Sequence, residues 1–105
     1  MVKNLHREKS VMRMMLKFKV PVKKGNKAFK DGSLASTIQS LIEDLKPEAA
    51  YFSPDEGERS GFMVFDMTDA AQIPKIAEPL FSNLHAEIEF RPVMNADDLK
   101  RGLGG

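Results

Sequence analysis

A chain of 105 residues has room for one domain, which at this size buries roughly two-thirds of the surface its unfolded form exposes. Apolar residues make up 42% and charged residues 30%, which excludes the low-hydrophobicity, high-charge regime of disordered chains. Sixteen basic against fifteen acidic residues leave a net charge of +1, so no overall field gathers nucleic acid, anionic lipid or acidic substrates. The absence of cysteine removes disulfides, thiolate nucleophiles and sulfur-ligated metal centres.

Residues 1–10 read as a basic N-terminal extension carrying Lys3, Arg7 and Lys9, and the apolar run after it is broken by Arg13 and Lys17. A secretion signal is therefore not expected. No stretch approaches the roughly 18 consecutive apolar residues of a membrane span, so the expected location is cytoplasmic, with no membrane partner.

From Val11 to Val20, Met12, Met14, Leu16, Phe18 and Val20 alternate with Arg13, Lys17 and Lys19, the period-2 signature of a half-buried strand. Pro21 ends it, and Gly25 and Asn26 read as turn residues. From Ser33, a helix is predicted with Leu34, Ile38, Leu41, Ile42 and Leu45 on one stripe; Ser33 caps its start and Pro47 stops it. Ala49 to Ser53 is a short strand. Pro54 to Gly57 supplies turn chemistry, and the run Gly61 to Met67 completes a hairpin.

A second helix opens at Thr68 or Asp69, with Asp69 and Gln72 spaced as in a capping box and Ile73, Ile76, Ala77, Leu80, Phe81 and Leu84 as its stripe. Pro79 is expected to bend it and to free a backbone carbonyl. Ala86, Ile88 and Phe90 alternate with Glu87, Glu89 and Arg91 in a fourth strand that closes at Pro92. Residues 95–105 form a short C-terminal helix and tail: Asn95 caps it, Asp97 and Asp98 lie in its first turn, Lys100 and Arg101 in its last, and Gly102 just beyond.

The domain over residues 11–94 thus reads strand, helix, strand, strand, helix, strand. The expected fold is α+β, a ferredoxin-like β-α-β-β-α-β sandwich whose four-stranded antiparallel sheet carries two helices on one face. In the strand order 4-1-3-2, Lys17 and Lys19 lie beside Glu87 and Glu89 on the uncovered face, with Phe62 and Val64 next to them on the third strand. Two large apolar side chains in the middle of such a face call for a cover. A homodimer is expected, with Lys17, Phe62, Val64, Glu87 and Glu89 in its interface.

This arrangement resembles the dimeric α+β barrel superfamily, in which two ferredoxin-like sheets face each other. Val11 to Val20, Gly61 to Met67 and Ala86 to Val93 carry the resemblance, through order and periodicity. The superfamily includes antibiotic-biosynthesis-type monooxygenases, muconolactone-isomerase-like proteins and stress-responsive A/B-barrel proteins. The resemblance implies a cofactor-free isomerase or monooxygenase as one function. Haem-degrading members typically employ a tryptophan, and this chain has none.

Two site expectations follow. His85, Tyr51 and Asp66 are the acid-base groups an enzyme would use, a combination suited to proton abstraction next to a carbonyl. Phe18, Met63, Phe65 and Glu78 would line a pocket for a small apolar ligand between helices and sheet, in a core softened by seven methionines. His6 and His85 lack any metal-ligand spacing, so neither metal nor cofactor is expected. Arg59 to Phe65 loosely echoes the third-strand motif of RNA-recognition domains. However, the first strand offers Lys17 or Lys19 where a stacking aromatic would stand, and Glu87 and Glu89 repel phosphates, so nucleic acid is not an expected partner. The leading reading is a homodimeric small-molecule-binding or interaction module.

Overall fold

The computed structural model describes residues 11–104; the basic N-terminal extension, His6 and Gly105 lie outside them. Four strands, β1 (Met12–Val20), β2 (Ala49–Asp55), β3 (Glu58–Met67) and β4 (Glu87–Pro92), form one sheet in the order β2-β3-β1-β4 with every pairing antiparallel. Four helices complete the α+β fold: α1 (Val22–Asp31), α2 (Ser33–Leu45), α3 (Gln72–Leu84) and α4 (Ala96–Gly102). The first crossover runs through α1 and α2 and the second through α3, which is the ferredoxin-like β-α-β-β-α-β plan.

The alternation read in β1 decides which side the helices cover. Met14, Leu16, Phe18 and Val20 are buried together with Met63, Phe65 and Met67 of β3, and against them pack Ala28 of α1, Leu41 of α2 and Ile76, Leu80 and Leu84 of α3. Successive strand residues face opposite ways, so one parity of each strand builds this core and the other is left open. Met12, the first residue of β1, departs from the expected alternation and is exposed. Ile88 and Phe90 are only half-buried, since β4 is an edge strand.

Helix α1 replaces the turn expected at Gly25 and Asn26. Gly25 is buried, and a Cβ there would stand 2.6 Å from Arg59 Nη1. The missing side chain lets α1 lie against the Arg59 side chain, whose Nη2 donates to Asn26 Oδ1 at 3.1 Å. Four lysines then fill the outer side of the helix.

The other departures are local. Gly32, at φ 85°, stands between α1 and α2, and Ser33 is the first residue of α2 rather than its cap; Asp31 Oδ1 accepts from the Ser33 N–H at 2.9 Å. The hairpin turn is tighter than Pro54 to Gly57. Asp55 pairs with Glu58, and Glu56 and Gly57 form the corner at φ 52° and 81°, the signs of a type I′ turn. Pro54 is tolerated inside β2 because that strand is an edge.

Helix α3 starts at Gln72, later than the Thr68 or Asp69 expected, with Ala71 at its N-cap and only half of the capping box formed: Gln72 Oε1 accepts from the Asp69 N–H at 3.1 Å and from the Thr68 N–H at 2.8 Å, but Asp69 Oδ1 accepts from the Ala71 N–H instead of that of Gln72. It continues through Pro79 to Leu84. The Asn83 amide donates to the buried Thr37 hydroxyl at 3.2 Å and ties α3 to α2.

Candidate functional site

The open sheet face brings together charged, polar and aromatic side chains from all four strands. Its rows follow from strand register. Glu87, Lys19, Ser60 and Ser53 form one row across the sheet, Glu89, Lys17, Phe62 and Tyr51 the next, and Arg91, Met15, Val64 and Ala49 the third. Beyond the third row, Arg13 stands opposite Asp66. The middle is therefore apolar on the β2, β3 and β1 side, and the charges concentrate around it.

Phe62 is 38% and Tyr51 63% exposed, and their rings meet at 5.6 Å between centroids with a 41° tilt. Val64, Met15 and Ala49 beside them are half-buried. An aromatic pair on an edge and its neighbour strand contributes about 0.5–1.5 kcal/mol beyond area burial, yet leaves the outer ring faces in water.

The register matches the predicted pairs, Lys17 opposite Glu89 and Lys19 opposite Glu87, but the ion pairs form elsewhere. Lys19 Nζ lies 3.7 Å from Asp55 Oδ2 and also meets Glu56, while Glu89 is taken by Arg91. The hydrogen bond to Glu56 holds the Lys19 ammonium above its usual pKa and the Glu56 carboxyl below its own. Lys17 and Glu87 are left with no ion-pair partner among the described residues.

A concavity of about 510 Å³ lies along this part of the face, lined by Lys17, Lys19, Asp55, Glu56, Ser60 and Glu89 among others. A second, of about 310 Å³, adjoins it at Lys17 and runs beside Tyr51 and Phe62. A charged groove next to an aromatic one suits an amphipathic small molecule. Among the described residues no group of three acidic or histidine side chains is placed to hold a metal ion.

The predicted acid-base residues are dispersed. Tyr51 lies on the open face of β2 and Asp66 on that of β3. Tyr51 pairs with Phe62, four residues before Asp66 and so about 13 Å from it along the strand. Asp66 stands opposite Arg13. His85 is the exposed left-handed residue that closes α3, at φ 52°, before β4 begins. Its strand end lies near Lys19, about 20 Å along β1 from the Arg13 row that holds Asp66.

Of the predicted ligand-pocket residues, Met63 and Phe65 are fully enclosed and Phe18 nearly so, while Glu78 is exposed on α3. The structure brings Phe18, Met63 and Phe65 into one packed layer and leaves Glu78 outside it. A separate groove of about 300 Å³ runs between α2 and α3, past Thr37, Pro79 and Asn83.

Sequence reasoning missed two parts of the open face. Met15 has the same parity as Lys17 and Lys19, so the alternation already marked it. Arg13 had no visible partner in the sequence. Its Nε donates to Glu48 Oε1 at 2.8 Å and its Nη1 to Asp98 Oδ2 at 2.6 Å, which fastens α4 to the open-face side of the sheet. The hydrogen bond from Arg13 to Glu48 raises the guanidinium pKa further, and the Asn95 N–H followed by Arg101 holds the Asp98 carboxyl below the usual range.

No described helix is long and apolar enough to cross a membrane. Comparison with curated proteins gave no match, and comparison with solved structures gave none. Residues 12–104 match the family described as a domain of unknown function, DUF3303, and with almost the whole described fold inside that match the chain belongs to this family.

Proposed function

We propose that the protein is a homodimeric small-molecule-binding or interaction module in which two open sheet faces meet, in the manner of a dimeric α+β barrel. The observation that carries this reading is the apolar middle of the open face: Phe62 and Tyr51 exposed, with Met15, Val64 and Ala49 half-buried around them. A solvated sheet face has no need of five apolar side chains in contiguous positions. A second copy brings the same apolar middle, and an isologous contact needs a self-complementary patch.

Charge supports the same reading. Lys17 and Glu87 have no ion-pair partner among the described residues and lie on the face in opposite signs, so a copy turned over onto the first meets both signs rather than one. The groove along Lys17, Lys19, Asp55 and Glu89 would then lie at the boundary between the two sheets. A small amphipathic ligand fits there, with its apolar part toward Tyr51 and Phe62. The packed state of Phe18, Met63 and Phe65 favours this location over a cavity between helices and sheet.

Light scattering on the Val64→Glu variant tests the reading. A dimeric parent and a single-chain variant support it; a variant that keeps the parent's dimer mass moves the interface elsewhere.

A further inference from the structure

Helix α4 is specified in detail by the sequence but buries none of its residues. A complete capping box starts it: the Asn95 side chain accepts from the Asp98 N–H at 2.8 Å, and Asp98 Oδ2 accepts from the Asn95 N–H at 3.1 Å. Asp97 and Asp98 occupy the first turn and Lys100 and Arg101 the last, as the helix dipole favours. A helix of seven residues is too short to hold by propensity alone. It needs a packing partner, and among the described residues its side-chain hydrogen bond to the sheet is the one from Arg13 to Asp98.

The apolar side of α4 is bare. Leu99 is 47% exposed and Leu103, one turn on, 77%; Met94 before the helix is exposed as well. Leu99 and Leu103 lie on one stripe at i and i+4. Because Arg13 has open-face parity, its hold on Asp98 places α4 at the rim of the open face, one row beyond Met15, Val64 and Ala49.

Area indicates what the stripe meets. Four strands about 4.8 Å apart and six to ten residues long, at about 3.3 Å per residue, give the open face a plan area of about 500 Å². A stable interface of standard size buries about 800 Å² per partner. The rim helix is an apolar surface continuous with the sheet face and adds to the area a second copy can cover.

We infer that α4 is a dimer arm: the Leu99 and Leu103 stripe packs on the second copy of this chain, and the Arg13–Asp98 ion pair sets the angle at which it reaches across. This rests on the proposed pairing of open faces and names a further part of that interface.

The test is sedimentation equilibrium on the full chain, on the Leu99→Asp/Leu103→Asp variant and on Val64→Glu. The inference predicts that the double variant keeps the parent's far-UV circular dichroism and melting of the sheet while its dimer dissociation constant rises at least about tenfold, the scale of losing buried leucine side chains from an interface. A double variant that dimerises as tightly as the parent overturns the arm and leaves the facing sheets intact, provided Val64→Glu is monomeric. A Val64→Glu chain that still dimerises overturns the facing-sheet reading itself.

Discussion

The two faces of the sheet are built by alternate residues of the same strands, yet they reach different ends. On the helix side, Leu16, Val20, Met63 and Phe65 are enclosed, and among the described residues no buried side-chain polar atom lacks a hydrogen-bond partner. On the open side, Met15, Phe62 and Val64 stand one residue away along the chain and remain partly in water beside Lys17 and Glu87. The covered face has completed its packing within one chain. The open face has the composition of a surface with packing still to be made, which is why the proposed function is placed on that side.

The contrast is broken most forcefully by damaging the finished side. Phe65→Ala removes a ring from the centre of the core and should destabilise the domain by about 3–5 kcal/mol, measured by chemical denaturation. A loss below about 1 kcal/mol would mean that the helix layer is not packed as described. The next effect belongs to the open side. Val64→Glu should weaken self-association at least about a hundredfold, because a carboxylate is desolvated where two apolar faces meet, while the midpoint of unfolding of the isolated chain moves little. If the chain's own stability fell as far as in Phe65→Ala, Val64 would belong to a single-chain core and the distinction between faces would fail.

Much of this was legible in the residues themselves. The alternation in β1, the stripes of α2 and α3, the fourth strand and the capping of α4 were all predicted at nearly the observed positions, because each rests on local periodicity or on a cap with a defined spacing. Helix α1 was not legible. Gly25 and Asn26 carry turn chemistry locally, and in the fold both meet Arg59, more than thirty positions later, which lies where a side chain at Gly25 would stand and donates to Asn26.

The candidate site shows the same division. Register predicted that Lys17 and Lys19 would lie beside Glu89 and Glu87, and they do. It did not foresee that the tight Glu56–Gly57 corner would bring Asp55 and Glu56 onto Lys19. The enzyme reading gathered His85, Tyr51 and Asp66 by residue type, and their separation follows from strand register and from the left-handed closure of α3 at His85, neither of which residue type reveals.

The smallest effect concerns the rim. The Asp98 carboxyl is held below its ordinary pKa, chiefly by the Asn95 N–H and then by Arg101. The charged form is therefore favoured more in the folded chain than in the unfolded one. Its contribution is complete above the unfolded carboxylate pKa of about 3.9 and fades as pH falls through the depressed folded value. Helicity of α4, read by hydrogen exchange of its amides, should be constant from neutral pH down to that range and decrease below it. In an Asp98→Asn chain the protection of these amides, taken against their intrinsic exchange at the same pH, should be lower at neutral pH and vary less across the acid range; unchanged protection in that variant would show that the cap does not hold the arm.

The central claim is that the unfinished face is covered by a second copy, and the solution mass of the full chain tests it most directly. Sedimentation equilibrium over a wide concentration range should give twice the mass of one chain, with dissociation only on dilution. A mass of one chain at every concentration would contradict the account.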